Sequence, residues 1–83
     1  MKTNDLKKGA RVRLANGWEA DIADNAKGNI RMAKVYGFET EIGSVYSHDI
    51  THFKAPSQLG GESLWYPIEH TPAQIKLRRV AAF

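Results

Sequence analysis

Short runs of alternating apolar and polar residues fill the first half of the chain. Residues 11–14 and 18–23 each repeat with period two, which is typical of strands with one buried face. Asn16 and Gly17 between them favour a two-residue hairpin turn, because both residue types tolerate positive φ. The core side of these two strands is predicted to hold Val12, Leu14, Trp18, Ala20 and Ile22.

A third strand is predicted over residues 30–36, after a turn cluster at 24–29. Ile30 and Met32 mark its apolar side, and the alternation then shifts by one residue before Val35. A β-bulge produces such a shift, because it adds one residue to one strand of a pair. The pattern therefore predicts that Ile30 and Met32 lie in the core and that a bulge interrupts this strand.

The following segment predicts two more strands. Phe38 and Ile42 share one parity in a fourth strand, and a 3₁₀ turn within residues 45–49 leads into a short fifth strand over 50–53. Several short strands separated by compact turns indicate a small barrel. We expect residues 1–53 to form this barrel.

The last thirty residues predict a loop followed by a helix. Residues 54–70, which begin with a run rich in Pro, Gly and Ser, are expected to form a loop that docks on the barrel. Thr71 is a strong N-cap and Pro72 suits the first helical position, so a C-terminal helix within 71–83 should complete the same domain. Ile75 falls on the basic side of this helix, where it either packs under the loop or contacts a partner.

Charge and composition narrow the classes of function. The 83-residue chain has a net charge of +3 and contains no cysteine, so disulfides and thiolate metal sites are excluded and anionic partners are plausible. It also lacks an apolar run long enough to cross a membrane and the apolar stretch of a signal peptide. We expect a cytoplasmic protein without a membrane contact.

Basic residues occupy outward positions of the predicted strands and the turn at 24–29, where they can gather into one strip. The candidate binding residues are Arg11, Arg13, Lys27, Arg31 and Lys34, with Lys76, Arg78 and Arg79 of the helix as a second patch. A competing interpretation is that Glu19, Asp21 and Asp24 pair with these arginines across the strands. Both interpretations remain open at this point.

Aromatic residues near the strip would add faces on which bases can stack. Tyr36, Tyr46 and Trp65 are the candidates. Trp18 has two interpretations, because it follows the predicted hairpin turn directly. Its parity with Ile22 favours the core, and the alternative is an exposed platform at the mouth of the barrel.

Catalytic and metal-binding patterns are weak in this sequence. His48 and His52 are four residues apart, but in an extended segment this spacing separates them by about 13 Å, too far to share one ion. They are better interpreted as surface or turn histidines. Glu39 and Glu41 alternate with apolar residues, as on a solvated sheet face. No catalytic residue, metal ligand or cofactor site is predicted, and we expect the protein not to be an enzyme.

The strings LKKGARVRLANGWEADI, DNAKGN and RMAKV resemble SH3-like barrels of the KOW and Tudor type. The shared features are a Lys-Gly-x-x-Val entry, a hairpin after the first strand and a Gly near the end of the third, within residues 6–53. This resemblance implies a five-stranded barrel that binds RNA, DNA or protein segments. The strings TEIGSVYSHDI and EHTPAQIKLRR are also similar to small uncharacterised proteins of tailed bacteriophages and prophages, which implies a phage origin and the cytoplasm of the host cell.

Two hypotheses of function follow. The first is a non-enzymatic binding module, mainly β, built as a single SH3-like five-stranded barrel with a C-terminal α-helix, that presents a basic face to nucleic acid or to an acidic protein. The second is a phage accessory or structural protein that docks on a host or phage protein, as a monomer or as a homodimer through an edge strand or the helix.

Overall fold

The computed structural model describes residues 1–56 and 63–81, and six antiparallel strands and one α-helix account for most of them. The strands are β1 (Arg11–Leu14), β2 (Glu19–Ile22), β3 (Ile30–Tyr36), β4 (Thr40–Tyr46), β5 (Ile50–Pro56) and β6 (Ser63–Pro67). The helix α1 spans Pro72–Ala81, and two 3₁₀ helices lie at Thr3–Asp5 and Ser47–Asp49. The predicted mainly-β class is confirmed.

All six strands belong to one sheet with the order β4-β3-β2-β1-β5-β6. β4 and β5 are four strand spacings apart in this order, which would be about 19 Å in a flat sheet. The chain from Tyr46 to Ile50 spans at most about 14 Å, so the sheet must curl. The N–H of Ala15, just after β1, donates to the carbonyl of Asp49 at 2.8 Å. This hydrogen bond connects the segment between β4 and β5 to the end of β1.

The prediction of a closed barrel of five strands is corrected to an open sheet of six. Residues 63–67, predicted as part of a loop, form β6 and pair with β5, for example Ala55 with Leu64 and Phe53 with Tyr66. The rings of Phe53 and Tyr66 stack with centroids 5.6 Å apart, and this contact supports the pairing. The central part of the predicted loop, residues 57–62, lies outside the described residues.

The turn between β1 and β2 has three residues instead of two. Leu14 donates its N–H to the carbonyl of Trp18 at 2.8 Å, and Gly17 donates to the carbonyl of Leu14 at 2.9 Å, which leaves residues 15–17 as the loop. Gly17 has φ = 90°, the left-handed conformation that a three-residue hairpin requires at this position. The Asn16 side chain accepts the N–H of Trp18 at 3.0 Å and fixes the turn.

β3 faces the opposite way from the prediction. Its pairing with β2 and β4 is continuous, without the predicted bulge, and the register irregularity lies in β1 between Arg13 and Leu14. Ala33 and Arg31 point into the protein and are fully buried, whereas Ile30 and Met32 are exposed. The buried apolar core consists of Leu6, Val12, Leu14, Ala20, Ile22, Ala33, Val45, Ile50 and Ile68.

Arg31 explains why β3 has this orientation. Its guanidinium donates to the carbonyls of Thr3 and Leu6 at 2.8 Å each, and to the carboxylate and the carbonyl of Asp24 at 3.0 and 3.2 Å. A buried charge is tolerated only when it is well hydrogen-bonded, and these four bonds give each of the three guanidinium nitrogens a partner. Arg31 therefore ties the N-terminal segment and the turn after β2 to the centre of the sheet.

The helix begins where the sequence predicts. Thr71 Oγ1 accepts the N–H of Gln74 at 3.2 Å, and the Gln74 side chain accepts the N–H of Thr71 at 3.0 Å, which is a capping box. The amide of Gln74 also donates to Thr3 Oγ1 at 2.9 Å, so the first turn of α1 is fastened to the N-terminal 3₁₀ helix. Ile75 is exposed, so the interpretation that it packs under the preceding segment is wrong.

Candidate nucleic-acid interface

The predicted basic strip is interrupted, because its arginines have different environments. Arg31 is buried and cannot contact a partner, which removes it from the set of binding residues. Arg11 lies on the outer face of the sheet but is engaged by two carboxylates. Arg13 also lies on the outer face, next to an aromatic ring. Only the last of these three arginines has the environment that the prediction requires.

Arg11 belongs to a closed network on the outer face of β1, β2 and β3. Its guanidinium binds both oxygens of Asp21 and lies 3.3 Å from Glu19 Oε1, and the hydrogen bond to Asp21 raises the pKa of Arg11 further. The guanidinium carbon also lies 4.6 Å from the ring centroid of Tyr36. The Tyr36 hydroxyl donates to Asp21 at 2.8 Å, which raises the pKa of this phenol. The charge of Arg11 is therefore compensated inside the network.

The predicted lysines are exposed but dispersed. Lys34 pairs in register with Asp21, and its Nζ lies 5.8 Å from the Tyr36 ring centroid. Lys27 lies in the turn after β2, and Lys76 lies on α1. Arg78 and Arg79 also belong to α1, and their side chains lie outside the described part of the structure. The second predicted patch is consequently described only at Lys76.

A different cluster unites a predicted arginine with two residues of the predicted loop. Lys54 and Trp65 are direct partners in the pairing of β5 with β6, and Arg13 lies on the adjacent strand β1. The guanidinium carbon of Arg13 lies 4.4 Å from the Trp65 ring centroid, and Lys54 Nζ lies 5.6 Å from it. Within residues 1–56 and 63–77, neither cation forms an ion pair with a carboxylate. We call Arg13, Lys54 and Trp65 the tryptophan cluster.

A groove borders the tryptophan cluster and shares Lys54 with it. Its volume is about 410 Å³, within the range of small-molecule sites. The apolar wall includes Leu6, Ala10, Phe53 and Ala55, and the charged lining includes Lys7, Lys8 and Lys54 together with Asp5. The groove and the cluster thus share Lys54, and Lys7 and Lys8 belong to the groove alone.

Alternation in the sequence contained a signal for this cluster. Trp65 and Pro67 face outward and alternate with the inward Tyr66, as in any half-buried strand. The run is only five residues long and follows a segment rich in Pro, Gly and Ser, so it was not predicted as a strand. Lys54 was missed for the same reason, because it was assigned to the loop.

Trp18 combines features of its two interpretations. Its ring is 38% exposed and lies at an angle to the ring of Phe38, with centroids 5.5 Å apart. A Cβ added to Gly37 would come within 2.5 Å of a carbon of the Trp18 ring, so the ring packs directly on the backbone there. Trp18 is therefore held by the turn between β3 and β4 and does not belong to the tryptophan cluster.

The three histidines have local roles and do not converge. His48 lies in the 3₁₀ turn Ser47–Asp49, as one of its two predicted interpretations has it, and is buried against the ring of Tyr46 with centroids 5.2 Å apart, so the surface interpretation is wrong. His70 Nε2 is 2.7 Å from the carbonyl oxygen of Ile50, and His52 Nδ1 is 2.9 Å from the hydroxyl of Thr51. Across residues 1–56 and 63–81, no three His, Asp or Glu side chains are grouped as metal ligands.

Comparisons with protein-family models, with curated proteins and with solved structures find no match to this chain. Among the described residues, no helix has the length and apolar composition needed to cross a bilayer.

Proposed function

We propose that this protein is a non-enzymatic module that binds single-stranded nucleic acid through the tryptophan cluster. The observation that supports the proposal is the position of the Trp65 ring beside Arg13 and Lys54, two cations without a carboxylate partner among the described residues. Unpaired strands combine exposed bases with closely spaced phosphates, and this cluster offers a partner to each.

In this proposal, stacking binds the bases and positive charge binds the phosphates. A base stacked on an aromatic side chain contributes about 1–3 kcal/mol, with little dependence on which base it is. Bases also stack on guanidinium planes, so Arg13 and Trp65 together provide a stacking surface. Lys54, beside the Trp65 ring, then binds a neighbouring phosphate. Duplex DNA keeps its bases stacked internally and would use only the cations.

We also propose that the fold is related to SH3-like barrels, as the resemblance implies. The order β4-β3-β2-β1-β5 and the 3₁₀ connection of Ser47–Asp49 support this proposal, because the fifth strand returns to the first and the sheet curls between them. β6 and α1 would then be additions to that unit. A phage origin and a cytoplasmic location stay predictions from the sequence.

The test is a titration of a labelled single-stranded oligonucleotide, with binding measured by fluorescence anisotropy. Trp65→Ala should weaken binding of the single strand about 5- to 150-fold, the loss expected for one stacked base. The matched control is Phe38→Ala, because Phe38 is 97% exposed and lies outside the tryptophan cluster. The control should leave the affinity unchanged.

Salt dependence tests the role of the cations. The logarithm of the binding constant should fall with the logarithm of salt concentration by about 0.7 for each phosphate bound. Arg13→Gln and Lys54→Gln should each reduce this slope, whereas Lys27→Gln should not. The proposal fails if no oligonucleotide binds, if the slope is flat, or if Trp65→Ala and Phe38→Ala behave alike.

A further inference from the structure

The β4 strand is an unprotected edge of the sheet. It pairs with β3 on one side, and on the other side no strand pairs with it within the described residues. Its sequence over residues 40–46, TEIGSVY, contains neither proline nor lysine, and its pairing with β3 has no bulge. Prolines, lysines and bulges are features that natural proteins commonly use to prevent edge strands from pairing with other chains, and β4 lacks all three.

The outer face beside this edge carries several exposed apolar side chains, together with Ser44 and the exposed Lys34 that pairs with Ile42. Ile42 and Tyr46 of β4 are 71% and 54% exposed. Tyr46 pairs in register with Ile30, and Ser44 pairs with Met32, so two further exposed apolar side chains from β3 lie next to them. We call Ile30, Met32, Ile42 and Tyr46 the edge patch. Contiguous exposed apolar surface of this kind marks contact sites.

The sequence of β4 is compatible with pairing to itself. In an antiparallel pair centred on Gly43, Ile42 faces Ser44 of the other copy and Tyr46 faces Thr40. Glu41, the charged residue of the strand, faces Val45, so no like charges are opposed. The diagonal positions bring the two copies of Ile42 together and place Tyr46 beside Ile42 of the other copy. The edge patches of both copies thus join into one apolar cluster.

A cavity lies beside the open edge of β4. Its volume is about 230 Å³, and it separates Ser44–Tyr46 from the turn at Leu14–Asn16. In the pairing centred on Gly43, Thr40 and Glu41 of the second copy would lie beside Tyr46 and Val45, next to this cavity.

We propose that two copies of this chain form a two-fold homodimer in which their β4 strands pair antiparallel about Gly43. The two sheets then continue as one, and the edge patches are covered. The interface uses β4, whereas Trp65 lies on β6. Dimer formation and nucleic-acid binding are therefore tested with different substitutions.

The first test is the molar mass in solution, measured by sedimentation equilibrium over a range of concentrations. The unmodified chain should reach the mass of a dimer, and Ile42→Lys should remain a monomer, because a charge on an edge strand opposes pairing. Ile75→Lys is the matched control, since Ile75 is also exposed but lies on α1. This control should dimerise like the unmodified chain.

The second test locates the two-fold axis by cross-linking. The chain contains no cysteine, so Gly43→Cys introduces a single thiol. A Cβ at Gly43 meets no atom within 4 Å, and this glycine has no positive φ, so the substitution fits the fold. Facing residues in antiparallel strands have Cα atoms about 4.5–5.5 Å apart, within the range for a disulfide. Gly43→Cys should form a covalent dimer under mild oxidation.

Lys27→Cys is the control for cross-linking, because it places a thiol on an exposed turn outside β4. It should form little covalent dimer under the same oxidation. The proposal is overturned if the unmodified chain is a monomer at all concentrations, if Ile42→Lys still dimerises, or if Lys27→Cys cross-links as readily as Gly43→Cys. Far-UV circular dichroism of each variant confirms that the fold is retained.

Discussion

Arg31 and Arg13 belong to neighbouring parts of one sheet but have opposite environments. Arg31 points into the interior, where backbone carbonyls of Thr3 and Leu6 and the Asp24 side chain take its hydrogen bonds. Arg13 lies on the outer face against the Trp65 ring. The interior environment fixes the Arg31 guanidinium in one geometry. The Arg13 guanidinium, on the outer face, is able to exchange the Trp65 ring for another partner.

This difference distinguishes a structural cation from a binding cation. A guanidinium held by fixed carbonyls stabilises the fold and offers nothing to a ligand, because it is buried and each of its nitrogens already donates to the protein. A guanidinium over an aromatic ring gains about 0.5–1 kcal/mol at an exposed site, which a phosphate can replace. Charge counts in the sequence do not separate these two roles, so mutations must do so.

The largest expected effect is that of Arg31→Met. Removing the guanidinium leaves the buried carbonyls of Thr3 and Leu6 and the Asp24 carboxylate without their donor, and it should lower the free energy of unfolding by about 3–5 kcal/mol. A domain of this size has only about 5 kcal/mol or somewhat more in total, so this variant should retain a small fraction of its stability and unfold at a much lower urea concentration. Urea denaturation followed by tryptophan fluorescence measures the change.

Arg13→Met is the matched comparison for this experiment. It should change the free energy of unfolding by less than about 1 kcal/mol, because it removes one partly exposed contact with Trp65. If the two substitutions destabilise the protein equally, the distinction between an interior and an exchangeable arginine is wrong. Under conditions where both variants are folded, Arg13→Met should weaken oligonucleotide binding and Arg31→Met should not.

The range of each interaction explains which features the sequence alone could predict. The N-cap at Thr71 and the 3₁₀ helix before β5 depend on residues within a few positions, and both agree with the prediction. The orientation of β3 depends on Arg31 reaching the carbonyls of Thr3 and Leu6, which are 28 and 25 residues away. An arginine on a strand normally indicates solvent, so the alternation was assigned to the wrong face.

The candidate site shows the same limit. Arg13 was predicted from its outward parity in β1. Its partners Lys54 and Trp65 lie on β5 and β6, which pair with each other. The sequence that joins these strands is rich in Pro, Gly and Ser, and this composition favours a loop. Local propensity is a weak guide where pairing across strands decides the structure. Trp65 is one of three aromatic candidates in the sequence, but its position beside Arg13 follows only from the strand pairing in the structure.

An intermediate effect is expected at Asp24, which bridges the interior and the surface. The N–H of Met32 and the Arg31 guanidinium both donate to this carboxylate, and these bonds lower the pKa of Asp24 below its ordinary value of 3.8. The unfolded chain then binds the proton more tightly than the folded one, so this stabilisation is present above pH 4 and is lost as the pH falls through the folded-state pKa.

Asp24→Asn tests this assignment. At neutral pH it should lower the free energy of unfolding by roughly 2 kcal/mol, since hydrogen bonds to charged groups contribute about that much. The difference from the unmodified chain should shrink as the pH falls below about 4, because acid neutralises the carboxylate in the unmodified chain as well. Urea titrations at several pH values measure both curves. A difference that stays constant in acid would show that the charge of Asp24 is not the cause.

The smallest expected effect is that of Arg11→Gln. This arginine lies on the outer face, as Arg13 does, but it is paired with carboxylates. Arg11 binds Asp21 and Glu19, but its side chain is 37% exposed, and ion pairs at such positions contribute at most about 1 kcal/mol. Because its charge is already compensated, oligonucleotide affinity should change by less than about threefold, compared with the larger loss for Arg13→Gln. Equal losses of affinity for the two variants would mean that net charge, and not the position of a cation beside Trp65, governs binding.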